Sequence, residues 1–206
     1  MPANHEVRAN HELPVSRIIA GTHKGRRLQT PPGDRTRPTT DRVREALFSV
    51  IASWAGTAGS RSEESLSGLA FLDLYAGSGA VGLEAASRGA APVLMVESDR
   101  RTARIISDNA RKLDLGVQIR TGRVEDVIAQ PPPGPYDVIF ADPPYELNSA
   151  TLSRVLTTLL ESGWINEDAL VIVERSSRTE DLSWPEQPAD AWTKAYGETT
   201  LHFWQR

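Results

Sequence analysis

The sequence has no cysteine and no long apolar run, and each absence excludes a class of protein. Without thiols there are no disulfides and no thiolate-bound metals, which is typical of a protein in a reducing compartment. No segment approaches the roughly 20 apolar residues that a membrane-spanning helix needs. Residues 1–12 also lack the apolar centre of a signal peptide, and the four histidines show no metal-ligand spacing. We therefore expect a cytoplasmic protein with no membrane partner and no metal.

Charge is distributed unevenly along the chain. The net charge is -4, but residues 1–44 contain nine Lys and Arg against four Asp and Glu, whereas the remainder contains 14 against 23. A basic N-terminal segment on an acidic body suggests that the segment contacts phosphate while the body has another task. A solvated surface segment has the same composition, so charge alone leaves both interpretations open.

The N-terminal part is predicted to form a small β-hairpin and a helix. A strand-like run after Arg17 meets Gly21 and Gly25, which favours a hairpin. A helix then begins at Pro38-Thr39-Thr40 with one of the two threonines as N-cap, because apolar residues recur from Val43 to Trp54 at helical spacing. The predicted organisation is a disordered segment 1–16, a basic hairpin and helix 17–55, a Gly- and Ser-rich flexible linker 56–67 and a main domain 68–206.

In the main domain, apolar strands alternate with helices. This alternation predicts an α/β fold with a mostly parallel sheet that helices cover on both faces. Two last β-like runs meet at Gly197-Glu198 and predict an antiparallel hairpin at one edge of the sheet. The predicted strands are 69–74, 92–97, 117–120, 136–141, 169–174, 192–196 and 199–204, and the predicted helices are 79–88, 100–113 and 149–161.

A glycine-rich loop, Asp73-Leu-Tyr-Ala-Gly77-Ser-Gly79-Ala-Val-Gly82, follows the first of these strands. Its glycines allow a tight turn and a close approach of backbone to a ligand at a helix N-terminus. Glu97 ends the next strand, where it can accept hydrogen bonds from ribose hydroxyls. The pattern alone fits a nicotinamide dinucleotide equally well, or a turn without ligand. Asp73 favours S-adenosylmethionine, because a carboxylate can hold the methionine ammonium but repels a pyrophosphate.

A second motif, Asp142-Pro143-Pro144-Tyr145, directly follows the strand 136–141. Loops at the carboxyl ends of strands face the ligand crevice, so we expect both motifs in one site. Asp142 and a backbone carbonyl near Pro143 can accept the two hydrogens of a base amino group and orient its nitrogen. Tyr145 can stack on the base. The alternative is a rigid turn capped by aspartate. The pair of motifs predicts methyl transfer to an exocyclic amine of a base.

The chain resembles the class I methyltransferases of nucleic-acid amino groups, and more narrowly the RsmD family. The resemblance lies in the two motifs, in Arg17-Ile-Ile-Ala-Gly21-Thr-His-Lys-Gly25-Arg-Arg-Leu28, and in Arg37-Pro-Thr-Thr-Asp41-Arg-Val-Arg-Glu-Ala-Leu-Phe48. It implies a Rossmann-like seven-stranded sheet with an N-terminal hairpin and helix extension. It also implies a 16S rRNA (guanine-N2)-methyltransferase that modifies guanine 966 in small-subunit particles. We expect a monomer.

The family's functional residues transfer to this sequence by position. Expected cofactor contacts are Asp73, Ala76, Gly77, Gly79, Glu97, Ser98, Arg123 and Val124, and expected catalytic residues are Asp142, Pro143, Pro144 and Tyr145. Expected rRNA contacts are Arg17, Lys24, Arg26, Arg27, Arg35, Arg37, Arg42 and Arg44. For Arg42 and Arg44 the alternative is an ion pair on the helix, with Asp41 for example.

The chain departs from the family pattern after its third strand. Such enzymes usually place there an Asp that reaches the adenine amino group, whereas Arg123 stands at that position here. The adenine is then held by backbone near Arg123 and Val124 or by a shifted Asp126, and the sequence leaves both options open.

Two rival functions fit parts of the pattern. The first is a DNA amino-methyltransferase acting on adenine N6 or cytosine N4, since the same loop chemistry serves all three amines. Such enzymes flip the base and usually carry a sizeable recognition domain, whereas this chain has only a short arm. The second is a nucleotide-binding module or dehydrogenase that performs no methyl transfer.

Overall fold

A computed structural model describes residues 16–31, 40–179 and 182–206. Its sheet has seven strands in the order β3-β2-β1-β4-β5-β7-β6, parallel from β3 to β5 and antiparallel at the β7 and β6 edge. The predicted fold class is therefore confirmed. The strands are β1 (Phe71–Leu74), β2 (Val93–Glu97), β3 (Gln118–Thr121), β4 (Tyr136–Ala141), β5 (Ile165–Ser176), β6 (Asp190–Tyr196) and β7 (Thr199–Gln205).

Helices cover both faces of the sheet because strand residues alternate between two apolar cores. The first face includes Phe71 and Phe140 and packs against α1, α2 and α3. The second includes Leu72 and Ile139 and packs against α4 and α5. The helices are α1 (Asp41–Trp54), α2 (Ala80–Ser87), α3 (Arg100–Lys112), α4 (Val124–Ile128) and α5 (Ser149–Glu161).

Two elements differ from the sequence prediction. Helix α4 was not predicted, since five residues are too few to show a helical period. Strand β5 begins at Ile165 rather than 169, because Ile165 pairs with Tyr136 ahead of the apolar run, and the exposed polar residues 166–168 lie between this pair and the next, Leu170 with Val138. A register shift between Tyr136 and Val138 accompanies this extension.

The predicted N-terminal hairpin is short and sits on α2. It is closed by one antiparallel bridge between Arg17 and Arg27. Its turn approaches the last residue of α2 closely: Thr22 donates its N–H to the Ser87 carbonyl at 2.8 Å. A Cβ on Gly21 would lie 1.9 Å from that carbonyl oxygen, and Gly21 has φ +84°, so the contact requires glycine there.

Glu84 of α2 holds the hairpin from beneath. The fully buried Glu84 carboxylate accepts the backbone N–H groups of Ile19 at 2.7 Å and Ala20 at 2.9 Å. It also pairs with Arg88 Nε at 2.9 Å and lies 4.0 Å from Arg44 Nε. A buried carboxylate is tolerated because cations and N–H donors surround it. The hairpin is thus fixed to the same helix that begins at the glycine loop.

The burial of Arg44 corrects one prediction. Only 1% of its side chain is exposed, and its Nη2 donates to the Arg17 carbonyl at 2.6 Å and to Asp41 at 3.1 Å. The prediction that Arg44 contacts rRNA is therefore wrong, and the alternative, an ion pair with Asp41 on the helix, is confirmed. Charge alone misled here, because the apolar stripe of α1 does not reveal which flanking cation turns inward.

Residues 56–67, predicted as a flexible linker, form a series of turns. Thr57 Oγ1 donates to the Ser65 carbonyl at 2.6 Å, and Leu66 is fully buried. The flexibility of this segment stays a prediction. The predicted disordered segment 1–16 lies outside the described residues except for Ser16. Among the described residues, no helix is long and apolar enough to cross a bilayer.

Candidate active site

Three carboxylates meet at the carboxyl end of the parallel strands. Leu74 of β1 is in register with Ala141 of β4, and Ala141 with Val173 of β5. Asp142 and Glu174 therefore follow paired residues on adjacent strands. Asp73 of β1 shares their face, because alternation along β1, β4 and β5 puts all three on the side of α2. The register of the sheet thus assembles the site.

The glycine loop forms a tight turn between β1 and α2. Tyr75, Gly77 and Gly79 all have positive φ, of 61°, 53° and 77°. A Cβ on Gly79 would lie 2.8 Å from Ile106 Cγ2, and one on Gly82 would lie 2.5 Å from Met95 Sδ. Gly82 therefore lets α2 pack against β2, as the sequence predicts.

Two carboxylates accept hydrogen bonds from backbone N–H groups of this loop. Asp73 Oδ2 accepts the Gly82 N–H at 2.9 Å, and Glu97 Oε2 accepts the Gly77 N–H at 2.8 Å. The other Glu97 oxygen accepts the Asp99 N–H at 2.8 Å. A pyrophosphate would compete for these donors and be repelled by both carboxylates. The loop therefore suits a ligand with a cationic group and hydroxyls, and it disfavours the dehydrogenase alternative.

Burial raises the pKa of Asp73 from 3.8 to about 7. The hydrogen bond from the Gly82 N–H lowers this pKa, and the negative charge of Glu97 raises it, but both effects are smaller than that of burial. Asp73 is almost fully buried. A buried carboxylate gains most from a cation placed beside it. The methionine ammonium of S-adenosylmethionine, held as the sequence predicts, fits this requirement.

The remaining predicted cofactor residues line the same loops. Ala76 accepts the Gly79 N–H at 2.7 Å within the turn, and Ser98 is exposed after β2. Arg123 is the N-cap of α4 without a side-chain cap, and its Nε lies 3.6 Å from Glu125. Val124 is buried. The assignment of the adenine contact to the backbone at these two positions stays a prediction.

The reaction loop presents the half-buried Asp142 carboxylate beside an exposed ring. Pro143 is buried, and Tyr145 is 73% exposed, the one exposed large hydrophobic side chain in the described part of the chain. The loop is closed behind them, since Leu147 donates its N–H to the Pro144 carbonyl at 2.9 Å. An exposed aromatic ring next to a half-buried acceptor is suited to stack on a planar ligand.

Burial raises the pKa of Asp142 well above its ordinary value, and the nearby charges of Glu174 and Asp73 raise it further. The site therefore favours an incoming cation or hydrogen-bond donor. The three carboxylates gain from any positive charge that enters between them. This electrostatic demand matches both a cationic methyl donor and an amine with two hydrogens to donate.

A cavity of about 200 Å³ opens at this loop. Sequence reasoning missed its far wall, which is built from the end of β5 and the β6–β7 turn. Only the register of β4 with β5 places these residues, although an acid directly after an apolar strand is a usable signal at Glu174. The lining residues are Asp142, Pro143, Pro144, Tyr145, Glu174, Arg175, Ser176, Arg178, Thr179, Glu198 and Thr199.

Arg175 supports the reaction loop. Its Nη1 donates to the Leu147 carbonyl at 3.1 Å, and burial lowers the pKa of its guanidinium. Asn148 then caps α5 by accepting the Thr151 N–H at 2.8 Å. The loop is thus anchored at its end by β5 and by the start of α5.

The predicted rRNA contacts are exposed in part and spread along the arm. Lys24, Arg26, Arg27 and Arg42 are exposed, and Arg17 is exposed but pairs with Asp41 at 3.1 Å. The hairpin turn contacts the end of α2, whereas the glycine loop precedes its start. The described arm residues therefore flank the site rather than line it. Arg35 and Arg37 lie outside the described residues.

Comparison with known proteins identifies relatives along nearly the whole chain. The family model described as conserved hypothetical protein 95 matches residues 16–205. Ribosomal RNA small subunit methyltransferase D of Escherichia coli (strain K12) is 34% identical over 195 residues, which is 92% of this chain and 89% of that protein. The Haemophilus influenzae protein of the same name is 34% identical over 188 residues, covering 89% and 88%.

A solved structure agrees with the sequence match. The Escherichia coli protein yhhF has a TM-score of 0.77 at 30% identity and covers 93% of this chain and 98% of its own.

The pKa of Asp73 yields a prediction for cofactor binding. If Asp73 holds the ammonium, binding lowers its pKa, so affinity for S-adenosylmethionine rises as pH increases toward about 7 and levels off above it. We expect an approach to about tenfold per pH unit on the acid side. Calorimetric titration from about pH 5.5 to 8 measures this, with proton release detected by changing the buffer.

A matched control separates Asp73 from its neighbour. Asp142→Ala should keep the pH dependence, and Asp73→Asn should bind weakly without it. A wild-type affinity that does not change over this pH range would contradict the role given to Asp73.

Proposed function

The chain belongs to the RsmD family, and from that membership we propose that it methylates the exocyclic N2 of a guanine in 16S rRNA of the small ribosomal subunit. The methyl donor is S-adenosylmethionine, and the target that the family implies is guanine 966. The observation that carries the proposal is the exposed Tyr145 ring beside the half-buried Asp142 carboxylate at the mouth of the cavity. We place this reaction in the cytoplasm.

The cofactor's place follows from the loops already described. When bound, S-adenosylmethionine supplies a methyl group on a positively charged sulfur. Asp73 would accept hydrogen bonds from its ammonium and Glu97 from its ribose hydroxyls, while Gly77 and Gly79 would let the backbone approach it. Asp73 and Asp142 lie on the same face and at the same end of the sheet. Their negative charges therefore attract the cationic methyl donor and the base amine to the same site.

The acceptor is oriented by the reaction loop. The lone pair of a base amino group is delocalised into the ring, which makes the nitrogen a poor nucleophile. Asp142 accepts one hydrogen of the amine, a backbone carbonyl near Pro143 accepts the other, and Tyr145 stacks on the base. Positive charge that develops on nitrogen is stabilised by these acceptors. The nitrogen gains a methyl group and loses one proton, and a carboxylate with a raised pKa is a good acceptor for that proton.

RNA is favoured over DNA as substrate. Enzymes that flip a base from duplex DNA usually carry a sizeable recognition domain, and the described residues provide a hairpin and α1 beside the catalytic sheet instead. The relatives that share a third of the sequence are ribosomal RNA small subunit methyltransferases by name. The exposed arm cations are suited to phosphate contacts that position the body without reading sequence.

Asp142 is tested by substitution. We expect Asp142→Ala to reduce methylation at least about hundredfold, since an aligned acceptor for the developing charge is lost, and to leave binding of S-adenosylmethionine largely intact. The measurements are methyl transfer to small subunits and cofactor titration of the same preparation. Glu146→Ala removes an exposed acid from the same loop and should change the rate by no more than about twofold. Retained turnover in the Asp142 variant would refute the mechanism.

The arm is tested by charge reversal. Arg26→Glu with Arg27→Glu should weaken binding to small subunits and reduce the slope of log affinity against log salt by about 1 to 2. Arg111→Glu with Lys112→Glu makes the same charge change at the exposed end of α3 and serves as control. If both double variants lose the same affinity for small subunits, or if the arm variant keeps the wild-type affinity, the arm does not contribute to substrate binding.

A further inference from the structure

Glu174 lies next to Asp142 in the wall of the cavity at the reaction loop. It follows Val173 of β5, which is in register with Ala141, so Glu174 and Asp142 stand side by side at the ends of adjacent parallel strands. Both line the cavity that Tyr145 opens onto. Glu174 is only 8% exposed, so its carboxylate belongs to the interior wall rather than to the surface.

The two carboxylates are close enough to influence each other. The charge of Glu174 is the largest of the neighbouring charges that raise the pKa of Asp142. Two carboxylates on adjacent strands present neighbouring hydrogen-bond acceptors to a ligand in the cavity. Such a pair of acceptors favours ligands with two adjacent N–H donors and disfavours ligands in which an N–H donor lies next to a nitrogen lone pair.

The three base amines differ in this respect. Beside its N2 amino group, guanine carries N1–H, a second donor. Beside the N6 amino group of adenine lies N1, and beside the N4 amino group of cytosine lies N3, and both of these ring nitrogens are acceptors. A carboxylate next to Asp142 therefore attracts guanine and repels the other two bases.

We propose that Glu174 determines the choice of base by accepting the N1–H of guanine while Asp142 accepts a hydrogen of its N2 amine. The inference rests on the proposed function and deepens it, because the reaction loop alone serves all three amines. Adenine and cytosine would set a ring lone pair against a carboxylate in a buried wall. The guanidinium groups of Arg175 and Arg178 line the same cavity and are suited to the O6 of guanine.

A base analogue removes the N1–H together with O6, and the Glu174 variants then separate the two contacts. 2-Aminopurine keeps the 2-amino group but has a lone pair at N1 and no O6. Small subunits are reconstituted with guanine or 2-aminopurine at the target position, which is introduced by ligating a synthetic RNA segment. The wild-type chain should prefer guanine by about ten- to a hundredfold in kcat/KM, the range of one hydrogen bond to a charged group.

The Glu174→Gln variant should change this preference. An amide can turn its NH₂ toward the N1 lone pair of 2-aminopurine, so the preference for guanine should fall about tenfold or more while S-adenosylmethionine binding persists. Glu146→Gln neutralises an exposed carboxylate of the reaction loop that is not part of the cavity lining, and should keep the wild-type preference. Glu174→Ala, which adds no donor, should lower the rate on guanine and leave that on 2-aminopurine nearly unchanged.

The outcomes separate the inference from the proposed function. If the wild-type chain methylates guanine but accepts 2-aminopurine equally, or if both Glu174 variants keep the wild-type preference, Glu174 does not choose the base and the proposed function stands. Variants that bind the cofactor but methylate neither base also overturn the inference, since a specificity residue leaves the reaction itself possible. If the wild-type chain methylates no small-subunit guanine, both fall.

Discussion

The register of β1, β4 and β5 is the constraint on which the site depends. It places Asp73, Asp142 and Glu174 on one face and at one end of the parallel strands. Asp73 and Glu174 are buried there, and Asp142 is half-buried. Carboxylates in such a place are costly unless positive charge or hydrogen-bond donors arrive. A cationic methyl donor and an amino group supply both. The three carboxylates thus define the charge of the ligands that the site favours.

A second buried carboxylate connects this site to the arm. Glu84 lies in α2, which starts at the glycine loop, and it holds the hairpin backbone at Ile19 and Ala20. The arm proposed to bind substrate and the loop proposed to bind the cofactor are therefore both joined to one short helix. Removing Glu84 would leave the buried guanidinium groups of Arg44 and Arg88 without this carboxylate, which would lower the stability of the fold.

Local patterns predict much of the fold and the motifs of the site. β4 and α5 have the predicted bounds, because an apolar strand after a proline-rich turn and an amphipathic helix are strong signals. Asp142 is identifiable from its neighbours in sequence. Glu174 is not, since its place beside Asp142 arises from strand pairing across 32 residues. Arg44 shows the converse failure, because its charge is visible in the sequence and its burial is not.

The central claim is that the chain methylates N2 of a guanine in small-subunit rRNA. Its most direct test is transfer of a radiolabelled methyl group from S-adenosylmethionine to small subunits, free 16S rRNA and DNA in parallel, followed by nucleoside analysis. The account predicts label in N2-methylguanosine from the ribosomal substrate. Label in methyl-deoxyadenosine or methyl-deoxycytidine, with none in N2-methylguanosine, would contradict it.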